Sequence, residues 1–263
     1  MVQLVAVTQE RYGAKKWQRN PSYGFAAAEA LVPIVGAELA RVAMSMPTAF
    51  AEQSGHYSLV VVLSLTAGRN MFVGPDGRWL GNYVPTSLRA YPFRLLARQG
   101  TDEVVLCVDE DSGLVVGENS VGEDFFDKDG NVSPALKAVL EFLTQVERTR
   151  KATDLAVSAL AEAGVIRPWQ IKLKTEQGER PVNGLHHVDE AALRALPDDA
   201  FLKLRKASAL TLADAQMLSM GHLDIFEHLA RVQAQLTPPP VAALPESIDS
   251  LFEMPSNDII RFS

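Results

Sequence analysis

The sequence predicts an α+β protein with a strand-rich N-terminal part that includes a β-hairpin, a helical C-terminal part, and an extended Pro-rich tail. Short β-branched runs and turn signals fill residues 1–132, whereas apolar residues at helical spacing dominate residues 133–236. Residues 237–263 open with consecutive prolines, which a helix does not tolerate. Of the 263 residues, 47% are hydrophobic and 22% are charged, so the chain has enough apolar residues to build a folded core.

In the N-terminal part, the first predicted feature is a region of helical composition at residues 25–44, which Pro33 is expected to break. A β-branched apolar run at residues 57–65 predicts a strand that is buried on both faces. Residues 71–73 and 78–80 flank a Gly-Pro-Asp-Gly turn and are predicted as the arms of a β-hairpin. Two further strands are predicted at residues 93–97 and 104–109.

The C-terminal part begins at Ser133, an N-cap residue followed by a proline that suits the first turn of a helix. A polar run at residues 147–154 is expected to interrupt that helix. Alternating apolar residues at 169–173 predict a half-buried strand, with residues 181–185 as a short partner strand. A single apolar stripe then predicts one long helix over residues 212–236.

The tail is predicted to leave the last helix as an extended strap, because residues 238–240 are all proline. Two apolar clusters follow, at residues 248–252 and 259–262, and neither is long enough to form a core of its own. We expect the tail to dock in a groove, either on its own domain or on a neighbouring subunit, with residues 258–262 added as an edge strand. Docking on a neighbour would make the protein a homo-oligomer.

The net charge of −7 at pH 7 is unevenly distributed along the chain. Residues 1–100 carry an excess of five positive charges, and ten carboxylates lie within residues 102–129. These carboxylates are expected either to form a solvated face or to meet the basic N-terminal part across a contact. Neither part has the dense basic patch that nucleic-acid binding requires, so nucleic acid is not expected as a partner.

The cysteine content and the apolar runs predict a cytoplasmic protein without a membrane span. Cys107 is the single cysteine, so no internal disulfide can form, which suits a reducing compartment. The first residues lack the basic start and apolar core of a secretory signal. The longest apolar runs, residues 31–37 and 58–65, fall far short of the ~20 residues that span a bilayer.

Residues 70–93, here called the signature segment, concentrate aromatic and arginine side chains around the predicted turn. Trp, Tyr and Arg are the residues enriched at binding hot spots. We predict that the segment borders a pocket for an acidic or aromatic ligand, with Arg89 gripping a carboxylate or stacking on a ring. The alternative is that the rings only form the packing face of the hairpin. The candidate ligand-binding residues are Asn70, Trp79, Tyr83, Arg89, Tyr91 and Phe93.

A second candidate site is a metal centre at His187 and Asp189, which match the H-x-D half of the facial triad of iron(II) oxygenases, with His222 or His228 as the third ligand. The context favours another interpretation, because residues 188–193 look like a capped helix start with Asp189 as the cap. His222 lies on the apolar stripe of the predicted last helix, where a buried core histidine is expected. We therefore expect no metal and no cofactor, and His187, Asp189 and His222 stay the alternative.

The order N-x-F-V-x-x-D-G-x-W, Y-V-P and L-R-x-Y-P-F in the signature segment closely resembles the signature of the SapC family of bacterial proteins. An F-D-x-D-G element ends at Gly130, and a G-L-x-x-V-D-E element begins at Gly184. The resemblance extends over about residues 20–235. It implies a protein of a Gram-negative bacterium, encoded near TonB-dependent receptors, cupin-like proteins and flavin-dependent tryptophan halogenases.

This resemblance implies an accessory role in nutrient uptake or in the modification of a peptide or protein. The function that we expect is that of a non-catalytic binding or adaptor protein, which presents a ligand or peptide to a partner such as a halogenase or cupin-like enzyme encoded nearby. One alternative is a cupin-like metal-dependent oxygenase that uses His187 and Asp189. Another, suggested by the family name alone, is a factor for surface-layer assembly or secretion.

Overall fold

The computed structural model describes residues 3–97, 103–175 and 178–236. Across these ranges the strands are β1 (Leu4–Ala6), β2 (Lys15–Trp17), β3 (Leu31–Pro33), β4 (Thr48–Gln53), β5 (His56–Val62), β6 (Phe93–Ala97), β7 (Val104–Asp109), β8 (Val115–Gly117), β9 (Glu123–Asp124), β10 (Ile166–Pro168), β11 (Ile171–Thr175), β12 (Gly178–Val182) and β13 (Leu185–Val188). The α-helices are α1 (Gln9–Tyr12), α2 (Gly36–Val42), α3 (Thr86–Arg89), α4 (Pro134–Glu162), α5 (Glu190–Arg194), α6 (Asp198–Lys206), α7 (Ala209–Ser219) and α8 (Ile225–Leu236). Short 3₁₀ helices occupy Gly24–Ala26, Glu110–Ser112 and Met220–Asp224. The Pro-rich tail lies outside the described residues, so its docking remains a prediction.

The largest sheet has the antiparallel strand order β10-β13-β4-β5-β3. A second antiparallel sheet has the order β1-β7-β6, and a third has the order β8-β2-β9. The strands β11 and β12 form a separate antiparallel hairpin. Their positions overlap those of the two strands predicted at residues 169–173 and 181–185. Strands prevail in the N-terminal part and helices in the C-terminal part, which confirms the predicted α+β class.

The strand β5 is the one predicted from the β-branched run. Its residues Leu59 and Val61 belong to the largest apolar cluster, here called the main core, whereas Val60 and Val62 belong to a second cluster on the other face. Burial of consecutive residues on both faces explains why the sequence shows a continuous apolar run rather than an alternation. The predicted two-sided burial is confirmed.

The region of residues 25–44 is divided between a 3₁₀ turn, β3 and α2. Pro33 ends β3, where its missing N–H is tolerated because β3 is an edge strand of its sheet. The helix α2 begins after Val35, whose backbone N–H donates to Oε1 of Glu38 at 3.1 Å. The predicted break at Pro33 is confirmed, and the residues just before it pair with β5 instead of forming a helix.

The hairpin turn at residues 74–77 is present, but its arms are shorter than predicted. Val73 and Trp79 form a single β-bridge, and the N–H of Gly74 donates to the carbonyl of Arg78 at 2.8 Å. The N–H of Leu80 still donates to the carbonyl of Phe72 at 2.7 Å, but the residues before Phe72 take backbone partners elsewhere. The N–H of Asn70 donates to Ala27 and the N–H of Met71 donates to Leu63.

The helix α4 runs through the polar segment that was expected to interrupt it. Ser133 caps it as predicted, with Oγ accepting from the N–H of Leu136 at 3.1 Å. Thr153 is buried within the polar run, donates to the carbonyl of Thr149 and accepts from the N–H of Gly36. The predicted interruption is wrong because Glu, Lys and Arg are good helix formers and the buried Thr153 has both of its hydrogen bonds satisfied.

The predicted long helix over residues 212–236 is wrong in its continuity. α7 and α8 are separated by the 3₁₀ turn Met220–Asp224. Ser219 ends α7, with its hydroxyl donating back to the carbonyl of Gln216 at 2.7 Å and pairing with Thr48 Oγ1 at 2.7 Å. Gly221 follows and adds a poor helix former to this bend. His222 therefore lies in the turn rather than on a continuous apolar stripe.

The main core crosses the boundary predicted at residue 133. It joins Leu39, Phe50 and Phe72 of the N-terminal part to Leu160 and Leu212 of the C-terminal part. The largest sheet also crosses the boundary, because β10 and β13 extend the sheet formed by β3, β4 and β5. Among the described residues, no helix is both long enough and apolar enough to cross a membrane.

Candidate functional site

The signature segment begins at Asn70, whose side chain is used to hold the chain. Asn70 is buried, its Nδ2 donates to the carbonyl of Ala26 at 3.0 Å, and its Oδ1 accepts from the N–H of Phe72 at 2.9 Å. These two bonds connect the start of the segment to the 3₁₀ turn near residue 26. The amide of Asn70 is therefore occupied by the fold rather than turned to a ligand.

Trp79 packs between other rings of the segment. Its ring stacks on Phe72 with centroids 5.4 Å apart and meets Tyr23 edge-on at 5.6 Å. Its Nε1 donates to the carbonyl of Tyr83 at 2.8 Å. Trp79 is half-buried and is absent from the linings of the two cavities described below. These contacts are those of a packing residue with its polar atom satisfied.

Tyr83 and α3 are held by Glu38, a buried carboxylate that no sequence motif indicates. Glu38 Oε2 accepts from the Tyr83 hydroxyl at 2.9 Å and from the Thr86 N–H at 2.8 Å. Its Oε1 accepts from the Thr86 hydroxyl at 2.6 Å and from the N–H of Val35. Burial, and then the negative charge of Glu38, raise the pKa of Tyr83 to about 12. This network fixes the approach of the chain to the cavities.

Arg89 is exposed at the end of α3, and its side chain contacts Tyr83 and Phe142. Its Nη2 donates to the Tyr83 hydroxyl at 3.1 Å. Its guanidinium carbon lies 5.4 Å from the ring centroid of Tyr83 and 5.3 Å from that of Phe142 on α4. The guanidinium keeps free N–H groups beside an open cavity, which is the arrangement expected for a residue that binds an anionic or aromatic group.

Tyr91 and Phe93 flank Pro92, which follows a cis peptide bond. The Tyr91 ring stacks on Phe25 with centroids 3.8 Å apart, and its hydroxyl donates to Oδ2 of Asp109 at 3.1 Å. Burial, and then this bond to Asp109, raise the pKa of Tyr91 to about 12. Phe93 is buried and meets Trp17 edge-on at 4.9 Å. Tyr91 is thus a neutral phenol with one ring face covered.

Two cavities adjoin this end of the segment. The larger, here called the edge cavity, has a volume of about 640 Å³ and lies between β3, β6, Phe25 and α4. The smaller, here called the arginine cavity, has a volume of about 300 Å³ and includes Arg89, Phe142 and Trp17 in its lining. Both are lined by Leu88, Ala90, Tyr91 and Phe93, so this stretch is a wall that the two cavities share.

The structure therefore divides the six predicted ligand-binding residues into two groups. Arg89, Tyr91 and Phe93 line one or both of these cavities, whereas Asn70, Trp79 and Tyr83 lie outside both linings. Asn70 instead lines a further cavity of about 300 Å³ at the start of the segment. Two residues of the edge cavity were missed, the exposed Arg94 and the buried Asp109. Their sequence neighbourhoods are ordinary strand patterns, so only the pairing of β6 with β7 reveals that they lie together.

The alternative metal residues are each engaged by the fold. Asp189 caps α5, with Oδ1 accepting from the N–H of Ala192 at 3.1 Å, as predicted. His187 Nδ1 lies 2.8 Å from the carbonyl of Val188, and His222 Nε2 lies 2.9 Å from the carbonyl of Ala43. His222 is half-buried rather than fully buried. In the described ranges, no group of three His, Cys, Asp or Glu side chains is placed to hold a metal ion.

Comparison with known proteins identifies a matching family. The family model described as SapC matches residues 7–225, which is most of the chain and includes the whole signature segment, α4 and α7. No curated protein and no solved structure gives a significant match.

Proposed function

The chain belongs to the SapC family, and we propose that it is a non-catalytic binding or adaptor protein whose ligand occupies the two cavities around residues 88–93. The observation that carries this proposal is the pair of cavities, about 640 and 300 Å³ in volume, on either side of one wall. Ligand sites in proteins commonly have volumes of about 300–1,000 Å³ and combine apolar walls with a few placed polar groups.

The lining favours a ligand that has both an apolar or aromatic part and an acidic group. Phe25, Leu96 and Phe142 supply apolar surface. Arg94 in the edge cavity and Arg89 in the arginine cavity supply guanidiniums. Guanidinium groups recognise carboxylates in a bidentate manner and stack on rings, so each cavity has a cation next to an apolar wall.

The partner that we propose is a protein or peptide, with a halogenase or cupin-like enzyme encoded nearby as the candidate that family membership suggests. The adaptor would hold a segment of substrate or partner while that enzyme acts. We place this activity in the cytoplasm, because the one cysteine, Cys107, is an unpaired buried thiol whose pKa is raised by burial. Such a thiol suits a reducing compartment.

The experiment measures peptide binding by variants that fill one cavity at a time. Dodecapeptides are selected by phage display on the immobilised full-length protein, and their affinities are then measured by calorimetry. Ala97 is exposed in the edge cavity and Ala138 is exposed in the arginine cavity. Ala97→Trp is expected to weaken the selected peptides by at least about tenfold, because the indole fills the space that the ligand needs.

Ala152→Trp is the matched control, since Ala152 is exposed on α4 and belongs to neither cavity lining. It is expected to bind the peptides as the unmodified protein does. Ala138→Trp reports whether the ligand extends into the arginine cavity. Unchanged affinities for both Ala97→Trp and Ala138→Trp, in proteins that fold normally, would place the ligand elsewhere and contradict the proposal.

A further inference from the structure

The edge cavity contains an unpaired strand edge. Within the described ranges, β6 pairs with β7 on one side and with no strand on the other. All five residues of β6 line the edge cavity. An edge strand presents a row of backbone N–H and C=O groups that can pair with another chain.

The hydrogen-bond pattern shows which backbone groups face the cavity. The N–H of Asp109 donates to the carbonyl of Pro92 at 2.9 Å, so these two residues form a hydrogen-bonded pair. Such pairs alternate along an antiparallel ladder, which makes Arg94 and Leu96 the next residues bonded to β7. Leu95 and Ala97 must then direct their N–H and C=O groups away from β7.

A second set of bonds supports this alternation. The residue opposite Leu95 is Leu106, and its carbonyl accepts from the N–H of Val7 at 2.8 Å, on the β1 side of β7. Leu106 therefore turns its carbonyl away from β6. This is the arrangement expected if Leu95 and Leu106 form a non-hydrogen-bonded pair.

The surroundings of the free edge combine exposed apolar side chains with an available cation. Leu96 is 40% exposed and Phe25 is 36% exposed, and both line the cavity. Arg94 is exposed on β6 and has no ion pair within the part of the chain that the structure describes. Arg150 on α4 is already paired with Glu147 at 2.9 Å. The remaining exposed carboxylate, Glu29, lies on the β3 side of the cavity.

From these observations we propose that the edge cavity binds an extended peptide segment of a protein partner, which pairs with β6 as an added strand and places an acidic side chain beside Arg94. This inference rests on the proposed function and specifies its ligand class. Main-chain bonds to Leu95 and Ala97 give affinity, and alternate side chains of the peptide give specificity. One set of these side chains packs on Leu96 and Phe25.

The first test compares two substitutions at Leu95 in the full-length protein, with the display-selected dodecapeptides as probes. Leu95→Pro removes the outward N–H, and it leaves the bonds between β6 and β7 intact because Leu95 lies at a non-hydrogen-bonded position. Leu95→Ala keeps the N–H and removes most of the side chain. We expect Leu95→Pro to lower the peptide affinity by about tenfold or more, which is the loss expected when one main-chain hydrogen bond is removed. Leu95→Ala should lower the affinity clearly less.

The second test leaves the protein unchanged, so it does not depend on the folding of a variant. Each backbone nitrogen of a selected peptide is methylated in turn. An added strand predicts that affinity falls at every second position, because only alternate N–H groups of a strand face β6. A flat response, or a loss at one isolated position, would overturn the strand geometry.

The third test exchanges charges between Arg94 and the peptide. The Arg94→Glu variant is expected to have a lower affinity for peptides that carry the selected acidic residue. It should have a higher affinity than the unmodified protein for the same peptides with lysine at that position. If Arg94→Glu changes the affinity for both peptide forms equally, Arg94 does not recognise an acidic side chain and that part of the proposal is wrong.

The outcomes separate this inference from the function on which it rests. If Ala97→Trp abolishes binding while Leu95→Pro and Leu95→Ala have the same effect, the cavity is the site but the added strand is wrong. If neither cavity variant affects binding, the proposed function itself fails. If the full-length protein binds no peptide and is a dimer that Leu95→Pro dissociates, the edge belongs to a second copy and the inference is overturned.

Discussion

At the residue scale, the most consequential side chain is Glu38, a carboxylate that is 4% exposed. It accepts from the N–H of Val35, the N–H and hydroxyl of Thr86, and the hydroxyl of Tyr83. A buried carboxylate is stable only when its oxygens are well supplied with donors, and here four donors converge on two oxygens. Glu38 thereby joins α2 to the signature segment.

Glu38→Gln is expected to lower the free energy of unfolding by about 2–4 kcal/mol, because an amide NH₂ group replaces one acceptor and meets donors that then lack a partner. The measurement is urea denaturation. Glu29→Gln is the matched control, since Glu29 is exposed and has no side-chain bond within the described ranges, and it should change stability little. Equal effects of the two substitutions would show that the Glu38 network contributes nothing specific.

At the element scale, the turn of the signature segment illustrates what local sequence can predict. The Gly-Pro-Asp-Gly order predicts the turn, and Gly77 indeed has a φ of +78°. A Cβ at this position would clash with Ser22 Oγ and would lie 3.3 Å from Ser22 Cβ. Gly55, in the turn between β4 and β5, has a φ of +80° with nothing within 4 Å of the corresponding Cβ.

Comparing Gly77 with Gly55 separates the cost of a positive φ from the cost of the steric clash with Ser22. Gly77→Ala and Gly55→Ala both require an alanine at positive φ, which costs about 1 kcal/mol. Gly77→Ala should lower the unfolding free energy by a further ~1–3 kcal/mol, because Ser22 must move. Urea denaturation of the two variants gives the difference, and the double variant Ser22→Ala with Gly77→Ala should recover part of it. Identical losses for the two glycines would show that Ser22 adapts without cost.

The elements that the sequence predicts well are those specified by neighbouring residues. The two-sided burial of β5, the cap at Ser133 and the cap at Asp189 all depend on patterns within about one turn or one strand. The end of α7 was missed because it depends on Thr48, which is 171 residues away from Ser219 along the chain. Apart from Gly221, the residues there favour a continuous helix, and the hydrogen bond between Ser219 and Thr48 ends it.

The candidate site was predictable to the same extent. The choice of Arg89, Tyr91 and Phe93 follows from residue type within one short segment. Asp109 could not be found in this way, because its proximity to Tyr91 and Arg94 arises from the pairing of β6 with β7. Trp79 has the residue type of a binding hot spot, and only its contacts with Phe72 and Tyr23 show that it supports the segment instead.

At the scale of the whole molecule, the basic N-terminal part and the acidic segment of residues 102–129 contact each other through ion pairs. Basic residues near the N-terminus pair with the acidic segment that follows β7. Glu110 contacts Arg11 and Lys15, and Asp124 contacts Lys16 at 3.8 Å. Of the two expectations for the acidic segment, contact with the basic N-terminal part therefore describes these carboxylates. The contact holds α1 and β2 against the chain about a hundred residues later.

This contact predicts a loss of stability in acid. Hydrogen bonds from Arg11 and Tyr12 lower the pKa of Glu110 from its ordinary value to about 2. A lowered pKa means that the unfolded chain takes up the proton more readily than the folded protein does. The stabilisation is therefore complete above about pH 5 and is lost as the pH falls toward 2. We expect the contribution of this group to be about 1–2 kcal/mol.

The measurement is the urea midpoint at several pH values between about 2 and 7, for the unmodified protein and for Glu110→Gln. The variant should be less stable near neutral pH and should depend less steeply on pH below 5. Glu10→Gln, at an exposed carboxylate on α1, is the control and should keep the original slope. Parallel curves for the unmodified protein and Glu110→Gln would assign the acid sensitivity to other carboxylates.

The free edge of β6 also has a consequence for how the protein behaves at high concentration. An open strand edge can pair with the same edge of a second copy of the chain, and the exposed side chain of Leu96 adds apolar surface to such a contact. Each copy, however, brings its own Arg94 to such a contact, so self-pairing gathers like charges, whereas a partner with carboxylates removes that repulsion. The same guanidinium thus discourages aggregation and selects the occupant, and because salt screens charges, both effects weaken together as ionic strength rises.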